Sequence, residues 1–269
     1  MGLLAGIRVV NVGINLPAPA AAARLVELGA HAAKVEPPGG DPLEAASSEL
    51  YAHLAAGQDV VRLDLKQPPD RERLHELLDD ADVLLTSSRP SALARMGLAR
   101  AELEPRHPRL VQVAIVGHRD PEQERPGHDL TYVASHGLVS PPGLPRTLVA
   151  DLGGAERAVT TALALLVARE HGGSRYAEVA LADAAEFHAL PVRYGLTTAG
   201  DPLGGGSPFY RLYEAQDGWI ALAALEPRFR ERIAAELGEL HDDSFAARTP
   251  AEWERWAGDH DLPIAGVSG

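Results

Sequence analysis

Ile7-Arg8-Val9-Val10-Asn11-Val12, closed by Gly13, is a compact β-branched run of the kind that forms a buried strand. Pro17 and Pro19 mark a loop after it, and Ala20–Leu28 has the composition of a helix stopped by Gly29. A second short strand, Ala32–Val35, runs into Glu36-Pro37-Pro38-Gly39-Gly40-Asp41, which reads as a loop. Strand, helix and strand with a crossover of this length predict a parallel pair in a βαβ unit. The alternation continues outward. Val60–Leu65 reads as a strand, and Asp70–Asp80, opened by Pro68 and Pro69, as an amphipathic helix with Leu74, Leu77 and Leu78 on one face. Val83–Leu85 and Leu110–Val116 follow as strands, and residues 117–127 as a polar loop. His128–Leu138 reads as a helix closed by the turn Pro141-Pro142-Gly143. Gly153–Ala168 is a long Ala- and Leu-rich helix ended by Gly172-Gly173, and Tyr176–Ala180 is a strand leading into a helix from Leu181. An open, mostly parallel α/β sheet accounts for this order.

The character changes near residue 195. Gly195–Pro208 contains Gly200, Asp201, Pro202 and the triplet Gly204-Gly205-Gly206, and reads as a flexible connector. Beyond it, Phe209–Tyr213 and Trp219–Ala223 flank Gln216-Asp217-Gly218, a hairpin signal. A helix is expected from Glu226-Pro227, with Phe229, Ile233 and Leu237 along one face, then a helix over Pro250–Trp256 and a short strand over Pro263–Val267. The expected organisation is a large α/β domain over 1–195, a linker over 196–208 and a small α+β domain over 209–269.

Composition narrows the function. The 269 residues are 45% apolar and 23% charged, enough to bury a core, with 25 Lys and Arg against 38 Asp and Glu. A net charge of −13 argues against gripping nucleic acid or an anionic membrane by bulk charge, so an anionic ligand needs a local basic cluster. Cysteine is absent, which removes disulfides, thiolate nucleophiles and Cys-based zinc sites. The apolar stretches are too short to span a bilayer, and Met1-Gly2-Leu3-Leu4-Ala5-Gly6 lacks the features of a cleavable leader or a myristoylation signal. A soluble cytoplasmic protein is the expectation.

The sequence has no Walker A motif, no H-E-x-x-H, no G-x-S-x-G elbow and no G-x-G-x-x-G opening a helix after the first strand. Its eleven histidines form no metal-site spacing, so no metal is expected. Three ionisable residues stand at the ends of regular elements, where reactive groups reach the rim of a sheet. His128 lies in Arg125-Pro126-Gly127-His128-Asp129, Asp151 just ahead of the longest helix, and Glu226 at the end of an apolar strand. Each has an ordinary alternative. Asp151 reads equally as an N-cap and Glu226 as a first-turn acid matching the helix dipole. Asp129 competes with His128 to cap its helix, and a lone loop histidine is commonly just hydrogen-bonded.

A wider pattern links them. Leu4-Ala5-Gly6-Ile7-Arg8-Val9-Val10, Leu28-Gly29-Ala30 and Lys34-Val35-Glu36-Pro37-Pro38-Gly39-Gly40-Asp41 resemble the opening of the family III CoA-transferases, the CaiB/BaiF superfamily. Leu63-Asp64-Leu65-Lys66, Ala81-Asp82-Val83-Leu84, Arg89-Pro90, Met96-Gly97-Leu98, Pro108-Arg109-Leu110-Val111 and Arg125-Pro126-Gly127-His128-Asp129 continue the likeness in order. Within this group the chain looks most like the α-methylacyl-CoA racemase branch, where a histidine follows Pro-Gly and transferases usually carry tyrosine. Leu225-Glu226-Pro227-Arg228-Phe229 is similar to the segment that supplies the racemase glutamate. The resemblance implies a Rossmann-like large domain and a small domain in an intertwined homodimer, with Glu226 of one copy brought to His128 of the other.

That resemblance implies a racemase of 2-methylacyl-CoA-like thioesters with no permanently bound cofactor, the CoA thioester being the substrate. His128 would serve one face of the α-carbon and Asp151 the other, with Glu226 orienting the imidazole. Backbone N–H groups near Gly153 and Gly154 would hold the enolate oxygen. Lys34, Arg62 and Arg89 remain as ligand contacts. The first alternative is acyl-CoA transfer with Asp151 as the nucleophile. The second is a shortened relative with a different acyl carrier or no catalysis. Two departures from the pattern favour that last alternative. Ala55-Ala56-Gly57-Gln58-Asp59 replaces the family's basic CoA-binding stretch, and the sequence ends soon after Val267 without the usual return to the large domain, so the ring of the intertwined dimer is expected to be incomplete.

Overall fold

In the computed structural model, which describes residues 2–268, the chain divides between Ala189 and Leu190 into two units. The first unit ends six residues before the expected border at 195.

The first unit contains, in order, β1 (Arg8–Asn11), α1 (Pro17–Glu27), β2 (His31–Glu36), α2 (Pro42–Ala46), α3 (Ser48–Ala55), β3 (Gln58–Arg62), α4 (Pro68–Asp79) and β4 (Val83–Thr86). It continues with α5 (Pro90–Arg95), α6 (Arg100–Arg106), β5 (Val111–Val116), α7 (Asp129–Ser135), α8 (Val149–Glu170), β6 (Tyr176–Ala180) and α9 (Leu181–His188). The six strands form one sheet in the order β3-β2-β1-β4-β5-β6, every neighbouring pair parallel. This is the open α/β sheet expected from the alternation, and its order reverses between β1 and β4.

Period-two alternation sorts its side chains onto two buried faces. Val9, Val83, Leu85, Val113 and Ile115 join a core with α1, α7, α8 and α9. Val10, Val35 and Leu84 join Leu74 and Leu78 of α4, Leu93 and Leu103 in a second core on the opposite face. Small residues let α8 approach its neighbours closely. Ala150, Gly154, Ala155, Ala158 and Ala162 are buried along it, and a Cβ at Gly154 would stand 2.3 Å from Leu181 Cδ2.

The starts of α1 and α8 lie furthest from expectation. α1 begins at Pro17, because proline's fixed φ and missing N–H suit a first turn, so Pro17 and Pro19 open the helix instead of marking a loop. α8 begins at Val149, four residues before the expected Gly153.

The second unit has α10 (Leu190–Arg193), a π-type turn over Pro202–Gly206, β7 (Tyr210–Ala215), β8 (Gly218–Ala223), α11 (Pro227–Leu237), α12 (Pro250–Asp259) and β9 (Ile264–Gly266). The sheet β7-β8-β9 is antiparallel throughout, the first pair forming the expected hairpin. Tyr213, Ile220 and Leu222 of the sheet bury against Ile233, Phe245 and Trp253. The expected flexible linker is a folded turn. Leu203 N–H donates to Leu196 O at 2.9 Å and Asp201 N–H to Thr198 O at 2.8 Å. Glycine is required in it by close approach, since a Cβ at Gly204 would lie 1.9 Å from Thr198 O. Among the described residues no helix is long and apolar enough to cross a membrane.

Candidate functional site

Ligands of open α/β sheets bind beyond the carboxyl ends of the strands, where the strand order reverses. A cavity of about 260 Å³ lies at that place. Ile14, Asn15 and Pro17 enter it after β1, Ser87, Ser88 and Arg89 after β4, and Ile115, Val116 and Gly117 at the end of β5. His128 and Tyr132 of the α7 region and Asp151 of α8 also line it. Two of the three predicted catalytic residues, His128 and Asp151, therefore share one cavity.

His128 is the N-cap of α7, with extended backbone, and is exposed. Thr131 fixes it from both sides: His128 N–H donates to Thr131 Oγ1 at 3.1 Å, and that hydroxyl donates to His128 O at 2.7 Å. Asp129 does not cap the helix. It is the first helical residue, is buried, and its Oδ1 accepts from the Asp151 backbone N–H at 3.0 Å. This bond ties the start of α7 to the first turn of α8 and puts two carboxyls side by side.

Asp151 is the third residue of α8, not its N-cap, so the capping alternative does not hold. Its side chain lines the cavity, and its carboxyl is pushed up to about 6, first by burial and then by the charge of Asp129. An ordinary imidazole titrates near ~6.5, so this cavity brings a carboxyl into the imidazole range. One helical turn after His128, Tyr132 is 2% exposed, and burial followed by the Asp151 charge pushes its phenol up.

The expected ligand contacts divide. Arg89 lines the cavity as the exposed N-cap of α5, and Arg125, which sequence reasoning missed as a contact, lines it too. These arginines put local positive charge on the cavity wall of a chain whose net charge is −13. Lys34 is otherwise engaged. It is 1% exposed, its Nζ lying 2.6 Å from Asp41 Oδ2 and 3.2 Å from Glu36 Oε1, and is not open to a phosphate. The Asp41 Oδ1 atom accepts from the Asn15 N–H at 2.9 Å, so the pair braces a loop of the cavity wall. Arg62 is exposed on β3 and faces Glu36 at 3.7 Å and Glu44 at 3.8 Å. Gly153 and Gly154 are the fifth and sixth residues of α8, past the free N–H groups of its first turn, which corrects the expectation that they hold an enolate. A Cβ at Gly153 would stand 2.4 Å from His188 Nε2, which makes it a packing glycine. Glu226 belongs to the second unit, where it is the exposed N-cap of α11 and makes no side-chain cap bond. A larger groove of about 690 Å³ runs along α8, β6 and α9, and has none of His128, Asp151 or Arg89 in its wall.

The sequence profile of CoA-transferase family III matches residues 4–259. The chain belongs to that family. Relatives with different activities are similar to this family III chain at the same level. The cinnamoyl-CoA:phenyllactate CoA-transferase of Clostridium sporogenes is 26% identical over 98% of this chain and 77% of its own length. The α-methylacyl-CoA racemase of Mus musculus is 26% identical over 93% of this chain and 69% of its own. Among solved structures, the Mycobacterium tuberculosis protein Rv3272 superimposes with a TM-score of 0.82 at 24% identity, over 100% of this chain and 84% of that one, a likeness of fold. The family thus has both transferases and a racemase among these relatives, and the sequence-based expectation of a family III member holds.

Proposed function

We propose that this family III chain interconverts the two configurations of a 2-methylacyl-CoA-like thioester by two-base transfer of the α-proton. The observation that carries the reading is Asp151, raised to about 6 in the cavity that also holds His128. A racemase base must be able to take a proton in one direction and give it in the other, which calls for a group that titrates near the working pH. At pH about 7 such a carboxyl is protonated roughly one time in ten, so both forms are at hand. In one direction His128 removes the α-proton, the thioester becomes an enolate, and protonated Asp151 delivers a proton to the opposite face. In the other direction the roles exchange. Glu226, contributed by a second copy of the chain, orients the His128 ring, and Arg89 and Arg125 meet the anionic end of the CoA moiety. Incubation of a single configuration of a 2-methylacyl-CoA in D2O tests the reading. Deuterium at the α-carbon together with loss of optical purity is the expected result, and an undeuterated product sinks it.

The similarity to a phenyllactate CoA-transferase favours a second reading. The Asp151 carboxylate would attack the thioester carbonyl, the C–S bond would break to release CoA as thiolate, and an aspartyl acyl anhydride would remain. Hydroxylamine would trap that anhydride as a hydroxamate on Asp151, and the two-base reading predicts no such adduct.

A further inference from the structure

An enolate needs a hydrogen-bond donor at its oxygen, and Gly153 and Gly154 lie too far into α8 to be that donor. We propose that the donor is the Tyr132 hydroxyl, which holds the thioester oxygen while the α-proton is in transit. The inference rests on the racemase reading of the same cavity.

The hydroxyl is confined by its surroundings. A Cβ at Gly117 would lie 2.5 Å from the Tyr132 hydroxyl oxygen, and one at Gly127 would lie 2.6–2.8 Å from the ring and that oxygen. Both glycines line the cavity, so the phenol sits in a slot that exists only because two wall positions lack a side chain. The ring is further fixed edge-on to His118, with centroids 5.2 Å apart. The side chain is 2% exposed, yet its hydroxyl oxygen is not sealed from solvent, and among the described residues no group hydrogen-bonds it. A hydroxyl that reaches the cavity with no protein partner is free to donate to an acceptor on the ligand.

Its place on α7 suits the reaction. Tyr132 and His128 line the same cavity near the start of α7, which puts base and donor within reach of one substrate. Burial and the Asp151 charge both keep the phenol protonated, so it remains a donor while Asp151 titrates. The step balances without any proton leaving tyrosine. The α-C–H bond breaks toward His128, its electron pair becomes the enolate double bond, and the carbonyl π pair moves onto the oxygen that Tyr132 holds.

The test is Tyr132→Phe, which keeps the ring in its slot and removes only the hydroxyl. Wild type and variant are compared for α-deuterium incorporation into a 2-methylacyl-CoA and for binding of the corresponding thioether, which has no carbonyl oxygen. Removing one such donor is expected to lower kcat for exchange by about 100-fold, with KM, thioether affinity and melting temperature nearly unmoved. Equal exchange rates in the two proteins overturn this inference alone. A variant that loses thioether binding in step with kcat also overturns it, since that marks a packing role. Wild type that incorporates no deuterium overturns the racemase reading, and this inference with it.

Discussion

Asp151→Asn should make the folded protein more stable at neutral pH. The native environment moves this carboxyl from 3.8 to about 6, through burial and then the neighbouring Asp129 charge. At about 1.36 kcal/mol per pKa unit, keeping it ionised in the native state at pH 7 costs about 3 kcal/mol. Between pH 3.8 and about 6 the native state binds more protons than the unfolded chain, so this group's contribution to stability falls as pH rises through that window. The asparagine variant has no such slope. Its advantage is therefore about 3 kcal/mol at pH 7 and shrinks to about 1 kcal/mol at pH 4.5. Urea unfolding of both proteins at the two pH values measures it. Trp219, Trp253 and Trp256 all lie in the second unit, so far-UV circular dichroism should follow the transition in place of tryptophan fluorescence. An unchanged or lower stability at pH 7, or a gap that does not vary with pH, would refute the assignment of Asp151 as a carboxyl held against its charge.

Three other substitutions test separate parts of the account. Asp129→Asn keeps an oxygen to accept the Asp151 N–H but removes the charge, so the acid limb of the exchange pH profile should move to lower pH, read from kcat against pH. Lys34→Met leaves Asp41 and Glu36 buried without their cation and should cost about 3–5 kcal/mol in urea unfolding, whereas a phosphate ligand would show mainly as a raised KM. Gly204→Ala drives a Cβ into Thr198 O and should destabilise the second unit by about 1–3 kcal/mol by tryptophan-monitored melting. A flexible linker there would tolerate the change.

The sheet was legible because β-branched runs at strand spacing need no tertiary information, and the Leu74, Leu77 and Leu78 stripe of α4 likewise declared its face. Helix starts were less so. A proline pair before an alanine run looks like a loop until its place in a first turn is known, as at Pro17 and Pro19. Asp151 resembled a cap because the residue that satisfies its N–H, Asp129, is 22 positions earlier. The fate of Lys34 could have been read: in a strand, Lys34 and Glu36 point to the same face, and Asp41 follows after a tight turn. Tyr132 carried a signal as well, following His128 by only four positions at the start of the same helix. Residues 42–55 gave no strong periodicity, and the short helices α2 and α3 there went unforeseen.

The claim that His128 and Asp151 serve opposite faces of one carbon is tested most directly by removing each base alone. His128→Gln and Asp151→Asn are incubated in D2O with each configuration of the thioester separately, and α-deuterium is followed by mass spectrometry. Each variant should still exchange the configuration whose proton faces its remaining base and fail on the other, in mirror-image fashion. Loss of exchange on both configurations by both variants, or the same residual preference in each, would contradict it.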